Sequence, residues 1–336
     1  MSGPRAAHEG ERARAAPGAG APAARAPLSL RDAACAVCGG TDAVPEAEGP
    51  DFEHDVAPGE FRFVRCRACG HAYLSPRPAP FEVARIYPSD YYAYADPAPG
   101  LARRLRRLRE ARKVALYRRA IGGGPRRILD FGCGNGRLLA MLREHGDPAW
   151  ELEGIDFSEE AVRRCREKGF RAQAARIEDF DAPDGAFDAV IMMQLLEHLD
   201  DPRAALARVA ALLRPGGVLV LETPNLGGLD YRLFRGRHWA MYHFPRHWNL
   251  FSSAALARLL EETGFAVERT DYLLSTSSWI VSLHHALYER HWPQRLVRAF
   301  HYQNVLLLPF FAALDLARLA LGLDTSDQRV VARRRA

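Results

Sequence analysis

The chain has 336 residues, of which 48% are hydrophobic and 26% charged, with a formal net charge of +5. That is enough for a large core and a second small domain, and it excludes a fibrous or wholly disordered chain. The positive charge is local, because residues 101–119 hold nine Lys/Arg against one Glu. The basic balance therefore does not imply a general affinity for nucleic acid.

Residues 1–30 are rich in Ala, Arg, Pro and Gly and are expected to form a disordered tail. They contain no apolar core of a secretory leader, which predicts a cytoplasmic setting where thiols stay reduced. Residues 31–80 follow as a small module with two CxxCG motifs, Cys35/Cys38 and Cys66/Cys69. Two such pairs in a reduced compartment predict one closed, four-thiolate structural zinc, with His71 spare at the surface. A Pro-rich stretch at 75–80 closes the module, and tyrosines 87, 91, 92 and 94 come next. A linker at 81–124 carries a basic helix over 101–121, stopped by the glycines at 122–124. Leu101, Leu105, Leu108 and Ala111 share one stripe of that helix and are expected to face either the core or an anionic membrane.

From residue 125 strand-like and helix-like runs alternate. Strands are predicted at 127–131, 152–157, 170–174, 187–193, 218–223 and 266–274, with a last one at 329–332. Helices are predicted at 136–145, 158–168, 201–213 and 252–263. This alternation predicts an α/β fold with a mainly parallel sheet.

The first strand ends at Asp130 and runs into Gly132, Cys133, Gly134 and Gly136. The spacing is G-x-G-x-G, with Arg137 where a nicotinamide fingerprint has its third glycine. Asp130 suits an ammonium group better than a pyrophosphate. Asp156 ends the second strand, where a carboxylate can take both ribose hydroxyls. Asp179 follows the third strand and can accept an adenine amino group. Residues 187–198 and 213–222 supply a fourth strand with its loop and a fifth strand after a Pro-Gly-Gly turn.

These five segments, in this order, resemble the Rossmann-like (class I) S-adenosylmethionine-dependent methyltransferases. The resemblance covers about 126–274 with the last strand, and implies a seven-stranded sheet in the order 3-2-1-4-5-7-6, its seventh strand antiparallel. It implies that Asp130, Gly132, Cys133, Gly134 and Gly136 hold the methionine end. It also places Asp156 and Phe157 at the ribose, Glu178 and Asp179 at the adenine, and Gln194 on the sulfonium side. The segment Gln194-Leu-Leu-Glu197-His198 is similar to ubiquinone-pathway O-methyltransferases, whose Glu-x-x-Glu-His is thought to hold a divalent cation. Gln194 replaces the first Glu here. The front module resembles that of bacterial methyltransferases of sugar, secondary-metabolite and surface-polysaccharide pathways.

Methyl transfer needs proximity and orientation, and a base only where the acceptor must lose a proton. The loop after the fifth strand, 237–252, is rich in His and aromatic residues. His243 or His247 is the expected general base, with Tyr242 and His198 beside them. The expected acceptor is a small molecule, a sugar, secondary metabolite or lipid-linked intermediate. A membrane-associated quinone O-methyltransferase and a zinc-ribbon nucleic-acid protein are the alternatives. No specific nucleic-acid partner is expected, because the loops of the CxxC module lack a basic run. Residues 275–326 form a helical insertion whose apolar stretch 305–323 carries Pro309, Asp315 and Arg318. Those residues argue against spanning a membrane and for interfacial or buried helix. Peripheral membrane contact through 101–119 and 305–323, at the inner face, is the expectation.

Overall fold

The computed structural model describes residues 26–87, 101–300 and 307–336, with the side chains of 101–106 and 298 outside that description. Leu30–Arg31 (β1) pairs antiparallel with Arg77–Pro78 (β5). Between them Ala43–Gly49 (β2), Phe61–Cys66 (β3) and Ala72–Leu74 (β4) form an antiparallel meander. Val83–Ile86 (α1) and Leu101–Ile121 (α2) lead into the larger sheet.

That sheet contains Arg126–Phe131 (β6), Trp150–Asp156 (β7), Arg171–Ala174 (β8), Phe187–Met193 (β9) and Leu213–Pro224 (β10). Asn249–Leu250 (β11) leaves it and adds to β4 as the fourth strand of the N-terminal sheet. Phe265–Tyr272 (β12) and Asp327–Arg334 (β13) complete the order β12-β13-β10-β9-β6-β7-β8. Strands β6 to β10 run parallel, and β13 is antiparallel to both β10 and β12. Counted from β6, this is the expected order 3-2-1-4-5-7-6. Central strands covered by helices on both faces need apolar residues throughout. Ile128, Leu129, Val190, Ile191, Leu219 and Val220 are accordingly sealed from solvent.

The helices are Arg137–His145 (α3), Glu159–Glu167 (α4), Pro202–Leu212 (α5), Leu229–Phe234 (α6), Ser253–Glu262 (α7), Thr276–Glu289 (α8), Gln294–Ala299 (α9) and Leu308–Ala320 (α10). Three start where the sequence places a capping side chain. Ser158, Asp201 and Ser252 accept from the backbone N–H of Ala161, Ala204 and Ala255.

Several expectations are corrected. The tail does not extend to residue 30, because Leu28 is buried, Leu30 pairs with Pro78, and Ser29 N donates to Glu82 Oε1 at 2.9 Å. Residues 1–25, the tyrosines at 91, 92 and 94, and the first two residues of 305–323 lie outside the described residues, as do the side chains of Leu101 and Leu105. The described part of α2 buries Val114, Tyr117 and Ile121 against the sheet, with Leu108 exposed and Ala111 half-buried. His71 is not at the surface. It is fully buried, stacked on Phe251 at 4.7 Å and within 3.2 Å of Asn249 Oδ1. No described helix is long and apolar enough to cross a membrane.

Candidate active site

The turn from β6 to α3 carries three residues in the left-handed region, Gly132 (φ 83°), Gly134 (φ 50°) and Gly136 (φ 80°). Their surroundings differ. A Cβ on Gly136 would lie 2.8 Å from Cys165 Sγ, and one on Gly154 would lie 2.7 Å from Cys133 Sγ, so these glycines let helix and strand close on each other. A Cβ on Gly134 would meet nothing within 4 Å, which leaves an open cradle above the turn. Asp156, at the end of β7, accepts from Gly134 N and Ser158 N at 2.9 Å each and so fixes the turn.

Asp130 is buried at the floor, with no hydrogen-bond partner for Oδ2 among the described residues. Burial, with the nearby Cys165 and Asp156, pushes its carboxyl well above the ordinary range. Burial also raises Asp156, against the pull of its backbone N–H donors. Two buried carboxyls of this kind favour a cationic ligand, since an ammonium restores their charge. The donor set therefore fits a nucleoside with a cationic tail. Phe157 is half exposed beside Asp156, and Glu178 and Asp179 are exposed on the turn Ile177–Asp179. Cys133 turns its thiol inward under Gly154, so only its backbone faces the loop. Gln194 sits at φ 49°, is exposed, and donates from Nε2 to Asp327 Oδ1 at 2.9 Å.

The loop after β9 brings Leu195 against Gly132 and then presents Glu197 and His198. Tyr87 links the two regions. Its ring lies 6.1 Å from Phe157, and its hydroxyl lies 2.8 Å from His198 Nδ1. The His198 ring is 4.6 Å from His247, which is 4.9 Å from His243. Three of the sequence-predicted histidines therefore converge beside the cradle. His247 Nδ1 lies 2.7 Å from Met241 O, and a carbonyl only accepts, so Nδ1 carries the proton and Nε2 the lone pair. Burial and the neighbouring imidazoles press His247 well below the ordinary range, and burial and His243 press His198 down to about 3. Both are neutral near pH 7.

His243 has a different environment. It sits at φ 38°, a strained conformation for a non-glycine residue, and its Nδ1 lies 2.7 Å from Glu53 Oε1. Burial opposes the Glu53 charge, but His243 outweighs it and holds the carboxyl at about 2. A carboxylate on Nδ1 fixes the tautomer and stabilises an imidazolium, as a general base requires.

Glu53 comes from the N-terminal module, which is tied to this loop. Arg246 and Asp51 are both fully buried and form a two-pronged pair, with Nη1–Oδ1 at 2.9 Å and Nη2–Oδ2 at 2.8 Å. Arg246 Nε also donates to Ile86 O at 2.8 Å. Tyr242, expected beside the base, is corrected. It is fully buried among Phe63, Trp239 and Phe244, and its hydroxyl faces Gly236 N and Glu46. It belongs to the core between module and loop.

The four cysteines meet as the spacing predicts. Cys35 and Cys69 Sγ are 3.4 Å apart, Cys38 and Cys66 Sγ 3.5 Å, and all four lie within 4.8 Å of one another. A tetrahedral zinc with bonds of about 2.3 Å needs sulfurs about 3.8 Å apart. The set therefore fits that ion. Glu197, His198 and His247 also offer donor atoms within 4.8 Å of one another. Glu197 Oε2 accepts from Thr223 Oγ1, Oε1 has no partner among the described residues, and burial pushes the carboxyl up to about 8.

Glu53, Asp51 and Tyr87 escaped the sequence reading, since each acts through a residue more than a hundred positions away. The acidic residues at 51 and 53, inside a module read as structural, and the tyrosine-rich stretch that begins at Tyr87 hint at them.

The family described as methyltransferase domain matches residues 101–270. Over 155 residues the chain is 32% identical to a ubiquinone biosynthesis O-methyltransferase of Thiobacillus denitrificans, covering 43% of this chain and 66% of that protein. It is 38% identical over 106 residues to the protein of the same description from Xanthomonas oryzae pv. oryzae, covering 30% and 43%. The chain thus spans less than two thirds of these relatives. The crystal structure of an S-adenosylmethionine-dependent methyltransferase from Mesorhizobium loti aligns with a TM-score of 0.45 and 22% identity, covering 67% of this chain and 98% of that one.

Proposed function

The chain belongs to the methyltransferase-domain family, and from that premise we propose that it is an S-adenosylmethionine-dependent enzyme that methylates a small-molecule acceptor whose nucleophile must lose a proton. The Glu53–His243 pair at 2.7 Å carries this reading, because transfer to an uncharged amine would need no such base. When bound, the cofactor supplies a methyl group activated by sulfonium, open to in-line displacement. Asp130 would meet its ammonium, Asp156 with Phe157 its ribose, and Glu178–Asp179 its adenine. The backbone of Gly132, Cys133, Gly134 and Gly136 would border the methionine end, with Gln194 on the sulfonium side. His243 would take the acceptor proton at Nε2 while Glu53 holds Nδ1–H, so Glu53 is a positioning residue. His247, buried, and His198, half-buried, both neutral, would orient the acceptor.

The acceptor class we favour is a sugar, secondary-metabolite or lipid-linked intermediate, and the four-thiolate cluster would hold a structural zinc. A quinone-type O-methyltransferase is the second reading, favoured by the Glu197, His198 and His247 donors and by the relatives' description. Those N and O donors suit a divalent cation that would polarise an acceptor hydroxyl.

The test uses His243→Ala, His247→Ala and Glu53→Gln, with S-adenosylhomocysteine release measured across candidate acceptors. Turnover should fall by about a hundredfold in His243→Ala while S-adenosylhomocysteine binding holds. Full turnover in His243→Ala would sink the assignment of the base. Turnover that depends on added divalent cation and collapses in His247→Ala favours the second reading.

A further inference from the structure

In the sheet β6 lies between β7 and β9, so the glycine turn has Asp156 on one flank and the end of β9 on the other. Just beyond β9, Leu195 closes on the turn, since a Cβ on Gly132 would lie 3.0 Å from Leu195 Cδ2. Gln194 therefore stands at the edge of the cradle, on the flank away from Asp156. Its φ of 49° is strained for a non-glycine residue, and two bonds hold it there. Gln194 N donates to Glu222 O at 2.8 Å, and Nε2 donates to Asp327 Oδ1 at 2.9 Å. Asp327 is itself fixed. It opens β13 opposite Pro224, and its carbonyl accepts from Leu273 N at 2.9 Å.

Three carboxyls surround Gln194, and the chain treats them differently. Glu222 on β10 is matched by cations. It accepts from Lys113 Nζ at 2.6 Å and Tyr117 OH at 2.9 Å, both on α2, and from Arg329 Nε on β13 at 2.7 Å. Asp271 on β12 lies opposite Arg329 and shares that cation's field. Asp327 and Glu197 form no ion pair among the described residues. Burial, then the Glu222 charge, push Asp327 up to about 7, against the pull of Gln194 and Lys113. Asp327 in turn adds to the rise of Glu197. At the floor of the cradle, buried Asp130 also keeps Oδ2 without a partner among the described residues. The β9 flank thus holds acidic groups that the chain leaves without a cation.

The two forms of the cofactor differ in charge at one atom. The methyl donor carries a sulfonium there, and the spent form a neutral thioether. With the ribose at Asp156, the sulfur falls toward Gln194. Resting on the methyltransferase reading, we propose that Asp327, held across from the cradle by Gln194, recognises the sulfonium charge and makes the site prefer S-adenosylmethionine to S-adenosylhomocysteine. Asp327 is then a specificity-determining residue, and its attraction ends when the methyl group leaves the sulfur. The sign with pH follows. A cation favours the charged carboxylate, so the preference is complete above about 7 and declines as the pH falls below it.

The experiment titrates the full-length wild type and Asp327→Asn with each form of the cofactor in a calorimeter, without acceptor. Asn keeps an oxygen for Gln194 Nε2 and removes the charge. At pH 8 the wild-type preference for S-adenosylmethionine should exceed that of the variant about tenfold, the equivalent of one pKa unit. At pH 5.5 the two preferences should agree within about twofold. S-adenosylhomocysteine affinity should be equal in both proteins. A second measurement needs the wild type alone. At pH 6.5, in two buffers of different ionisation heat, S-adenosylmethionine should release about half a proton more on binding than S-adenosylhomocysteine. Equal preference in the two proteins at pH 8 overturns the proposal, and so does equal proton release by the two ligands. A variant that weakens both ligands alike overturns it too, leaving Asp327 as a support for Gln194. A wild type that does not bind S-adenosylhomocysteine removes the methyltransferase reading itself, and the proposal with it.

Discussion

Replacing Arg246 with Met tests whether the N-terminal module and the loop act as one unit. The pair it forms with Asp51 is bidentate, and both side chains are at most 1% exposed. Burial works against the Asp51 charge, yet Arg246 and backbone N–H donors, Val56 and His54 among them, hold its carboxyl below the ordinary range. Arg246→Met leaves that carboxylate buried without its cation. Losing one partner of such a pair costs about 3–5 kcal/mol. In a chain of this size, with an unfolding entropy of about 0.7 kcal/mol/K, that is a fall in Tm of about 4–7 °C. The assay is urea and thermal unfolding of the wild type, Arg246→Met, Asp51→Asn and the double variant. The double variant should be at least about 1 kcal/mol more stable than the two single losses added together. The sign with pH follows from the lowered Asp51 carboxyl. Its contribution is complete above the ordinary value of 3.8 and is lost as the pH falls below it. Because the glycine cradle lies in the other sheet, S-adenosylhomocysteine affinity should change little. An Arg246→Met protein within about 1 kcal/mol of the wild type would refute the reasoning.

Gly134→Ala should cost about 1 kcal/mol in stability for its positive φ, and at least about tenfold in S-adenosylhomocysteine affinity, since its Cβ enters the open cradle. Equal affinity in that variant would place the ligand elsewhere. Glu197 is held at about 8 against an ordinary 4.5, so its contribution is full below 4.5 and lost as pH rises through about 8. Without added divalent cation, Glu197→Gln should flatten the decline of wild-type stability between those values. A slope unchanged in the variant would remove Glu197 as its source. Elemental analysis should find about one zinc per chain, and stripping it should lower Tm by at least about 5 °C. Protein purified without chelator and free of zinc would contradict the four-thiolate assignment.

The sheet was legible because its signals are local. Runs such as Val190 and Ile191 on β9 are apolar without interruption, and the strands from β6 to β9 fall within two residues of their expected limits. The cradle was legible because Gly132, Gly134 and Gly136 sit in one turn, with Asp130 just before it and Asp156 at the end of the next strand. The four cysteines announce themselves by spacing. The rest depends on distant pairings that no window contains. β11 joins β4 across about half of the chain, which buries His71 and turns Tyr242 into a core residue. Glu53 meets His243 only because Asp51 and Arg246 close over it. The packing of α10 was half legible, since the apolar run shows in sequence but the inward turn of Asp315 and Arg318 does not.

The central claim is that the cradle between Asp130, Gly134 and Asp156 binds the cofactor, and calorimetric titration of the full-length protein with S-adenosylhomocysteine tests it most directly. The account predicts saturable binding at about one site per chain with a micromolar Kd, abolished in Asp156→Ala. A folded, zinc-loaded wild type that gives no binding heat and no rise in Tm with saturating S-adenosylhomocysteine would contradict it.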